Sequence, residues 1–402
     1  MKQPPLPLEE AQARLLALAV PLPVERVDVA SALGRHLAEP LIAGRTQPAC
    51  DLSAMDGYAV CAGDSVGPWQ VVGESAAGHP FGATVTPGTA VRIATGALIP
   101  AGAGSVILQE DLGREGDMLT LTGEGPLPEG KHIRRRGMDF HEGAALAGEG
   151  TRITPAHLAL ALAAGHNHIA VRRIPRLAVL DSGDELSADC ENCAPHQIPA
   201  SNGPMLAALA ASTLSCRVSR IGPVPDNLDR LVAALEAAAD ADVIVTSGGA
   251  SVGDHDLIRP ALEACGAEID FWRVAIKPGK PILVARKGRQ IVLGLPGNPV
   301  SSYATAFLFL LPLLRAIAGA KDCLPRAIPA VLAEPLGAGG SRREFLRAQW
   351  DGSRVSAQAV QDSAALASLS ASNALIDRAK GAPARTAGEI VPVYLLGNGG
   401  IA

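Results

Sequence analysis

Aromatic side chains are scarce in this sequence. Three Trp, three Tyr and six Phe make up 3% of 402 residues, so the cores have to be built from Ala, Val, Leu and Ile within a hydrophobic share of 48%. An excess of positive charge is missing too. Lys and Arg number 35 against 40 Asp and Glu, a formal net charge of -5, which removes the basic footprint of a nucleic-acid-binding chain. The seven cysteines are odd in number and mostly scattered. That suits a reducing, cytoplasmic setting better than a disulfide framework. Long apolar runs are absent: the longest, Ala304 to Leu314, contains Pro312 and is followed by Arg315. It falls short of the roughly 18 residues a membrane span needs and reads as a buried helix. The opening MKQPPLPLEE puts proline and glutamate where a signal peptide requires an apolar core, so no leader is expected.

What is abundant is punctuation. The 43 Gly and 31 Pro separate periodic segments instead of forming a low-complexity tract. The chain is too long for one ordinary core, so two to four domains are expected. Leu8 to Ala19 carries a helical pattern that Pro21 and Pro23 end. Val27 to Val29 is extended, and Ser31 to Leu37 reads as a short helix with Ser31 as N-cap. From about Pro40, short extended segments alternate with Gly/Pro turns, as in a small β-rich, barrel-like domain. Thr154-Pro155 is a helix start, and Gly165 a stop. From Arg176 to about Ala320 strands and helices alternate, the pattern of a doubly wound α/β domain with a mostly parallel sheet. After Pro325 strand-like segments return. The fold class expected is therefore α/β multidomain: residues 1–40 with 145–175 as a discontinuous helical and extended N-terminal domain, 41–144 as an inserted β-rich domain, 176–322 as the α/β domain, and 323–402 as a C-terminal β domain.

The chemistry centres on Ala241 to Asp256, ADVIVTSGGASVGDHD: an apolar strand, a glycine loop (Gly248, Gly249, Ser251, Gly253), two acids (Asp254, Asp256) and a helix start. Backbone N–H groups at such a start receive anions, and glycines let a phosphate come close. Carboxylates beside phosphate suit magnesium. Ligands of open α/β sheets sit beyond the carboxyl ends of the strands. Two more strands end in unusual loops, Ser182-Gly183-Asp184-Glu185 and Pro296-Gly297-Asn298-Pro299 leading to Ser301. Lys277 and Lys280 sit in a stiff Pro/Gly turn suited to phosphate. Together these predict a nucleotide-like or pyrophosphate site with a divalent cation. The β-rich segment adds Asp56 in a turn, Thr95 at a strand end, and the run Arg134-Arg135-Arg136-Gly137-Met138-Asp139. Cys190, Cys193 and His196 form a C-x-x-C-x-x-H without an evident fourth zinc ligand, and His166-Asn167-His168 reads as a surface turn.

These motifs, in this order, resemble the MoeA/gephyrin family of molybdopterin molybdenumtransferases: SAMDGYAV (53–60), VRIATGALIPAGAGSVILQED (91–111), RRRGMDFHEG (134–143), SGDEL (182–186), SNGPMLAAL (201–209), SGGASVGDHD (247–256), KPGKP (277–281), LPGNPVSS (295–302) and REFLRA (343–348). The resemblance implies an elongated homodimer that inserts molybdate into adenylylated molybdopterin with magnesium-dependent release of AMP. It implies a site shared between subunits, and contacts with the molybdopterin adenylyltransferase and with molybdoenzymes. Carried over by position, Glu185, Asp226, Asp254 and Asp256 serve metal and phosphate chemistry. Ser182, Gly183, Gly248, Gly249, Ser251 and Gly253, with Pro296, Gly297, Asn298, Pro299 and Ser301, cradle the substrate. Lys277 and Lys280 bind phosphate or molybdate, and Asp56, Thr95 and Asp139 come from the partner subunit. The chain departs from the family pattern at Ser182, which keeps the hydroxyl of a threonine; at Gly104, which replaces a carboxylate; and in the Cys190–His196 segment. A molybdopterin adenylyltransferase, usually a compact single domain, and a non-catalytic scaffold are the competing expectations.

Overall fold

The computed structural model describes residues 4–248, 257–397 and 399–400. Its central sheet has four parallel strands in the order Arg217–Val224, Arg176–Ser182, Val243–Ser247, Gln290–Leu295, continued by the antiparallel strands Leu283–Lys287 and Glu268–Trp272. The apolar runs of these strands are nearly continuous because both faces are covered. Leu177, Val179, Val243, Val245, Ile291 and Leu293 face one core. Their neighbours Ala178, Leu180, Ile244 and Val292 face the other, as a period of two requires. Helix Asn202–Thr213 and the long helix from Pro299 to Ile317 pack on the first face; helices Leu228–Ala237 and Ile258–Ala264 pack on the second. Asp181 is level with Ser247, and Ser247 with Leu295, so three strands end together on one edge.

The apolar run at Ala304 lies in a longer helix than its own length indicates. Pro299–Ile317 spans 19 residues, apolar enough by length and composition to cross a membrane, but 89% of that window is buried inside the fold. Pro312 has no N–H to give to the carbonyl four residues back. The helix widens to a π-type turn over Ala306–Leu310, and Gln12 Nε2 donates to the Leu308 carbonyl at 2.9 Å. The donor comes from the first helix, Leu8–Leu18. That helix buries Leu8, Ala11 and Leu15 in the large α/β core, not among the N-terminal segments with which residues 1–40 were grouped. The physical reason is the size of the remaining N-terminal core, which is closed by its own residues Val29, Leu37, Leu41, Ile153, Ile169 and Val171.

Elsewhere in that module Val24–Asp28 pairs with His168–Arg172, and Leu41–Ile42 with Ala145–Ala147. Thr154 caps helix Pro155–Ala163 in a reciprocal box with His157. The short helix expected at 31–37 is a 3-10 turn over Val29–Ala32, after which His36 and Leu37 bridge to Arg152 and Val171. The inserted segment forms a six-stranded sheet with Ala103–Leu108 and Leu112–Glu115 at its two ends. Closure belongs instead to the C-terminal segment. There Arg343–Trp350, Arg354–Ala357, Ile328–Leu332, Ile390–Leu395 and Ala374–Arg378 pair in a ring, and Ile276–Lys277 adds to its outside.

Candidate active site

A cavity of about 450 Å³ lies on the edge where the three strands end. Of the expected residues, Ser182, Glu185, Gly248, Gly297, Asn298 and Pro299 line it. Gly183 and Pro296 are buried next to lining residues in the chain but do not line it. Gly248 has φ 96°, and a Cβ there would stand 2.7 Å from the Ser182 carbonyl oxygen, so this crossing of two loops requires glycine. Asn202, at the start of its helix, ties the loops together: Nδ2 donates to Ser247 Oγ at 2.8 Å and to the Gly297 carbonyl at 2.6 Å. Asp226 is not in the cavity lining; its N–H donates at 3.0 Å to Oδ1 of Asp184, the residue before Glu185. Gly249, Ser251, Gly253, Asp254 and Asp256 lie outside the described residues.

Lys277 and Lys280 do not join the acids. They line a second cavity of about 330 Å³ with Ser301, Arg342 and Asp362. The two cavities share a wall, the helix start at 298–301 and the C-terminal segment 361–366. Asn298 Nδ2 donates to Ser363 Oγ at 2.9 Å, and the Val300 N–H to the Ser363 carbonyl at 3.0 Å, which fastens that wall. Lys277 Nζ donates to the buried Glu344 Oε1 at 3.0 Å, and Arg342 Nη1 to the Ile276 carbonyl at 3.0 Å. Lys277 is thereby clamped against the C-terminal barrel.

Asp56, Thr95 and Asp139 are exposed in the inserted segment, which contributes no residue to either cavity of this chain. The Thr95 N–H donates to Asp56 Oδ1 at 2.7 Å and holds that carboxyl below the usual aspartate range. The arginine run is partly committed: Arg135 Nη1 and the Arg136 N–H each donate to Asp51 at 2.7 Å. Gly104 packs so closely on Ala62 that a Cβ would fall 2.6 Å from the Ala62 Cα, which explains the missing side chain there. Among the described residues no group of three His, Cys, Asp or Glu is gathered for a metal, and this includes Cys190, Cys193 and His196. His166 bonds the Ile42 carbonyl and His168 pairs with Asp28.

Three features escaped the sequence. Asp181 lines the first cavity, 3% exposed, and burial pushes its carboxyl up to about 6. Only its position one residue before the loop could have flagged it. Arg342 precedes a recognised motif. Arg347 lies within that motif, REFLRA, which by itself assigns it no role; 1% exposed, it donates to Ser368 Oγ and to the carbonyls of Val360 and Asp362, shaping the shared wall from behind.

Residues 6–165, 178–316 and 329–396 match, in turn, the MoeA N-terminal region (domain I and II), a probable molybdopterin binding domain and the MoeA C-terminal region (domain IV). A molybdopterin molybdenumtransferase of Haemophilus influenzae is 36% identical over 321 residues, 79% of this chain and 79% of that one. The chain belongs to the molybdopterin molybdenumtransferase family. A Staphylococcus epidermidis member is 29% identical over 98% of this chain and 96% of its own. The fold agrees: the crystal structure of a Pyrococcus horikoshii molybdopterin biosynthesis protein, at 27% identity, superposes with a TM-score of 0.84 over 98% of this chain and 100% of that one. Family membership places the two adjoining cavities in an enzyme of molybdenum-cofactor biosynthesis.

Proposed function

We propose that this transferase inserts molybdate into adenylylated molybdopterin and releases AMP. The observation that carries the proposal is the pairing of two unlike cavities across one thin wall. The first has apolar sides (Leu186, Ile198, Pro199, Leu366) with the acids Asp181 and Glu185 in its lining, and its described lining contains no Lys, Arg or His. It suits the flat pterin. The second gathers Lys277, Lys280 and Arg342 with the hydroxyl-bearing Ser301 and Ser363, a setting for a tetrahedral dianion such as molybdate. Fixed positive charge beside a phosphoanhydride stabilises charge that develops on its cleavage.

Magnesium fits the donor chemistry: the exposed Glu185 carboxylate on the cavity wall is a hard oxygen ligand, and Asp254 and Asp256 would complete the protein's share. When bound, the ion supplies charge neutralisation at the phosphate oxygens. The chain's own contribution is to hold the substrate phosphate against the glycine loop and to keep the dianion at the lysines. Asp56, Thr95 and Asp139 would reach the site from a second subunit. Met55 and Met138 beside them are 41% and 64% exposed, apolar surface that favours docking of this end on a partner copy.

The test is AMP release from adenylylated molybdopterin, followed by chromatography with molybdate and magnesium present. Asp56→Ala, Glu185→Ala and Asp256→Ala should each abolish it while the fold survives. Full activity of the Glu185 and Asp256 variants would sink the site assignment. AMP transfer onto free molybdopterin from ATP, without molybdate, would favour an adenylyltransferase instead.

A further inference from the structure

The first cavity holds one deeply buried charge that the transferase reading does not use. Asp181, one residue before the end of its strand, lines the cavity and is 3% exposed. Its carboxylate accepts the Gly203 N–H at the start of helix Asn202–Thr213, and a Cβ on Gly203 would lie only 1.9 Å from Oδ2. The other oxygen, Oδ1, is buried without a hydrogen-bond partner. Leaving a buried acceptor without a donor is unfavourable, and more so for a charged one. The attraction of Arg220 offsets it only in part and supplies no hydrogen bond; both amide hydrogens of neighbouring Asn202 are directed to Ser247 and Gly297, and no described lining residue is cationic. A carboxylate oxygen in this position calls for an N–H donor. The apolar walls around it admit a flat ring.

We propose that Asp181 is a specificity-determining residue that accepts, at Oδ1, the exocyclic N–H of an amino-substituted heterocycle. The proposal rests on the ligand inferred above, which carries two such rings, the aminopyrimidinone of the pterin and adenine. Burial raises the carboxyl only to about 6, so at neutral pH it is charged and an acceptor.

The test is equilibrium binding to the full chain at pH 7.5 of two probe pairs that differ at the amino group. The pairs are pterin against lumazine, its 2-oxo counterpart, and AMP against IMP. The wild type should bind the amino member of one pair roughly tenfold or more tightly, the weight of one charge-assisted hydrogen bond, and that pair identifies the ring. Asp181→Asn and Asp181→Ala should lose the preference; if the alanine chain fails to fold by circular dichroism, the isosteric asparagine decides. Equal binding within both pairs, a preference that persists in the variants, or no binding of any probe would each overturn the proposal. A chain that releases AMP but ignores the amino group keeps the transferase reading and loses this one. A chain that reads the amino group without releasing AMP does the reverse.

Discussion

Replacing Asp181 by asparagine should stabilise the protein, and increasingly so as the pH rises. The buried carboxyl titrates at about 6 against an ordinary value of about 3.9. Its folded value is raised, so the stability it contributes is fully present below about 3.9 and is lost as pH rises through about 6. A difference of about two pH units corresponds to roughly 3 kcal/mol above pH 7, of which about 1 has already developed at pH 4.5. The main cause is burial; the attraction of Arg220 and the Gly203 N–H only partly offset it. Asparagine has no proton to release, and its side-chain oxygen can still accept from Gly203. The difference in unfolding free energy, variant minus wild type, should therefore grow by about 2 kcal/mol in favour of the variant between pH 4.5 and pH 8. Urea denaturation of both proteins at the two pH values measures it, and subtracting the wild type removes titrations common to both. A difference that stays constant within about 0.5 kcal/mol would mean the carboxylate is not held away from water, and the reasoning fails.

Gln12→Leu leaves the Leu308 carbonyl without its donor and should cost about 1–3 kcal/mol by denaturation, although a buried position becomes more apolar. Gly248→Ala meets both a positive φ and the Ser182 carbonyl, so the variant should fold with a displaced loop and lose ligand affinity well before it loses secondary structure, as titration and circular dichroism would show. Arg347→Ala removes three hydrogen bonds from the wall between the cavities; a loss of at least about 1–3 kcal/mol and faster amide exchange over residues 360–368 are expected, and unchanged exchange there would contradict the assigned role. Glu344→Gln frees Lys277 from its buried ionic partner and also takes a charge from beside the buried Arg378, so the half-saturating molybdate concentration for AMP release should change and the melting temperature should fall, both read against the wild type.

Local pattern alone determined a good deal here. The apolar runs at 177–180, 243–246 and 291–295, followed by glycine-rich loops, dictate buried strands whose ends carry the chemistry, because strand period and turn residues are properties of a few neighbours. The Thr154-Pro155 start is legible for the same reason, since its capping box is closed within four residues. Tertiary structure decided what depends on distant partners. Lys277 and Lys280 read as companions of the acids, yet pairing of Ile276–Lys277 with the C-terminal barrel turns them into a separate cavity. The first helix carries an amphipathic stripe that names no partner; a proline-freed carbonyl nearly 300 positions away, Leu308, receives its Gln12. Asp181 looks like any polar residue at a strand end. Only the helix that lays Gly203 against it, and the strands that close over it, make it a buried charge with one oxygen left to satisfy.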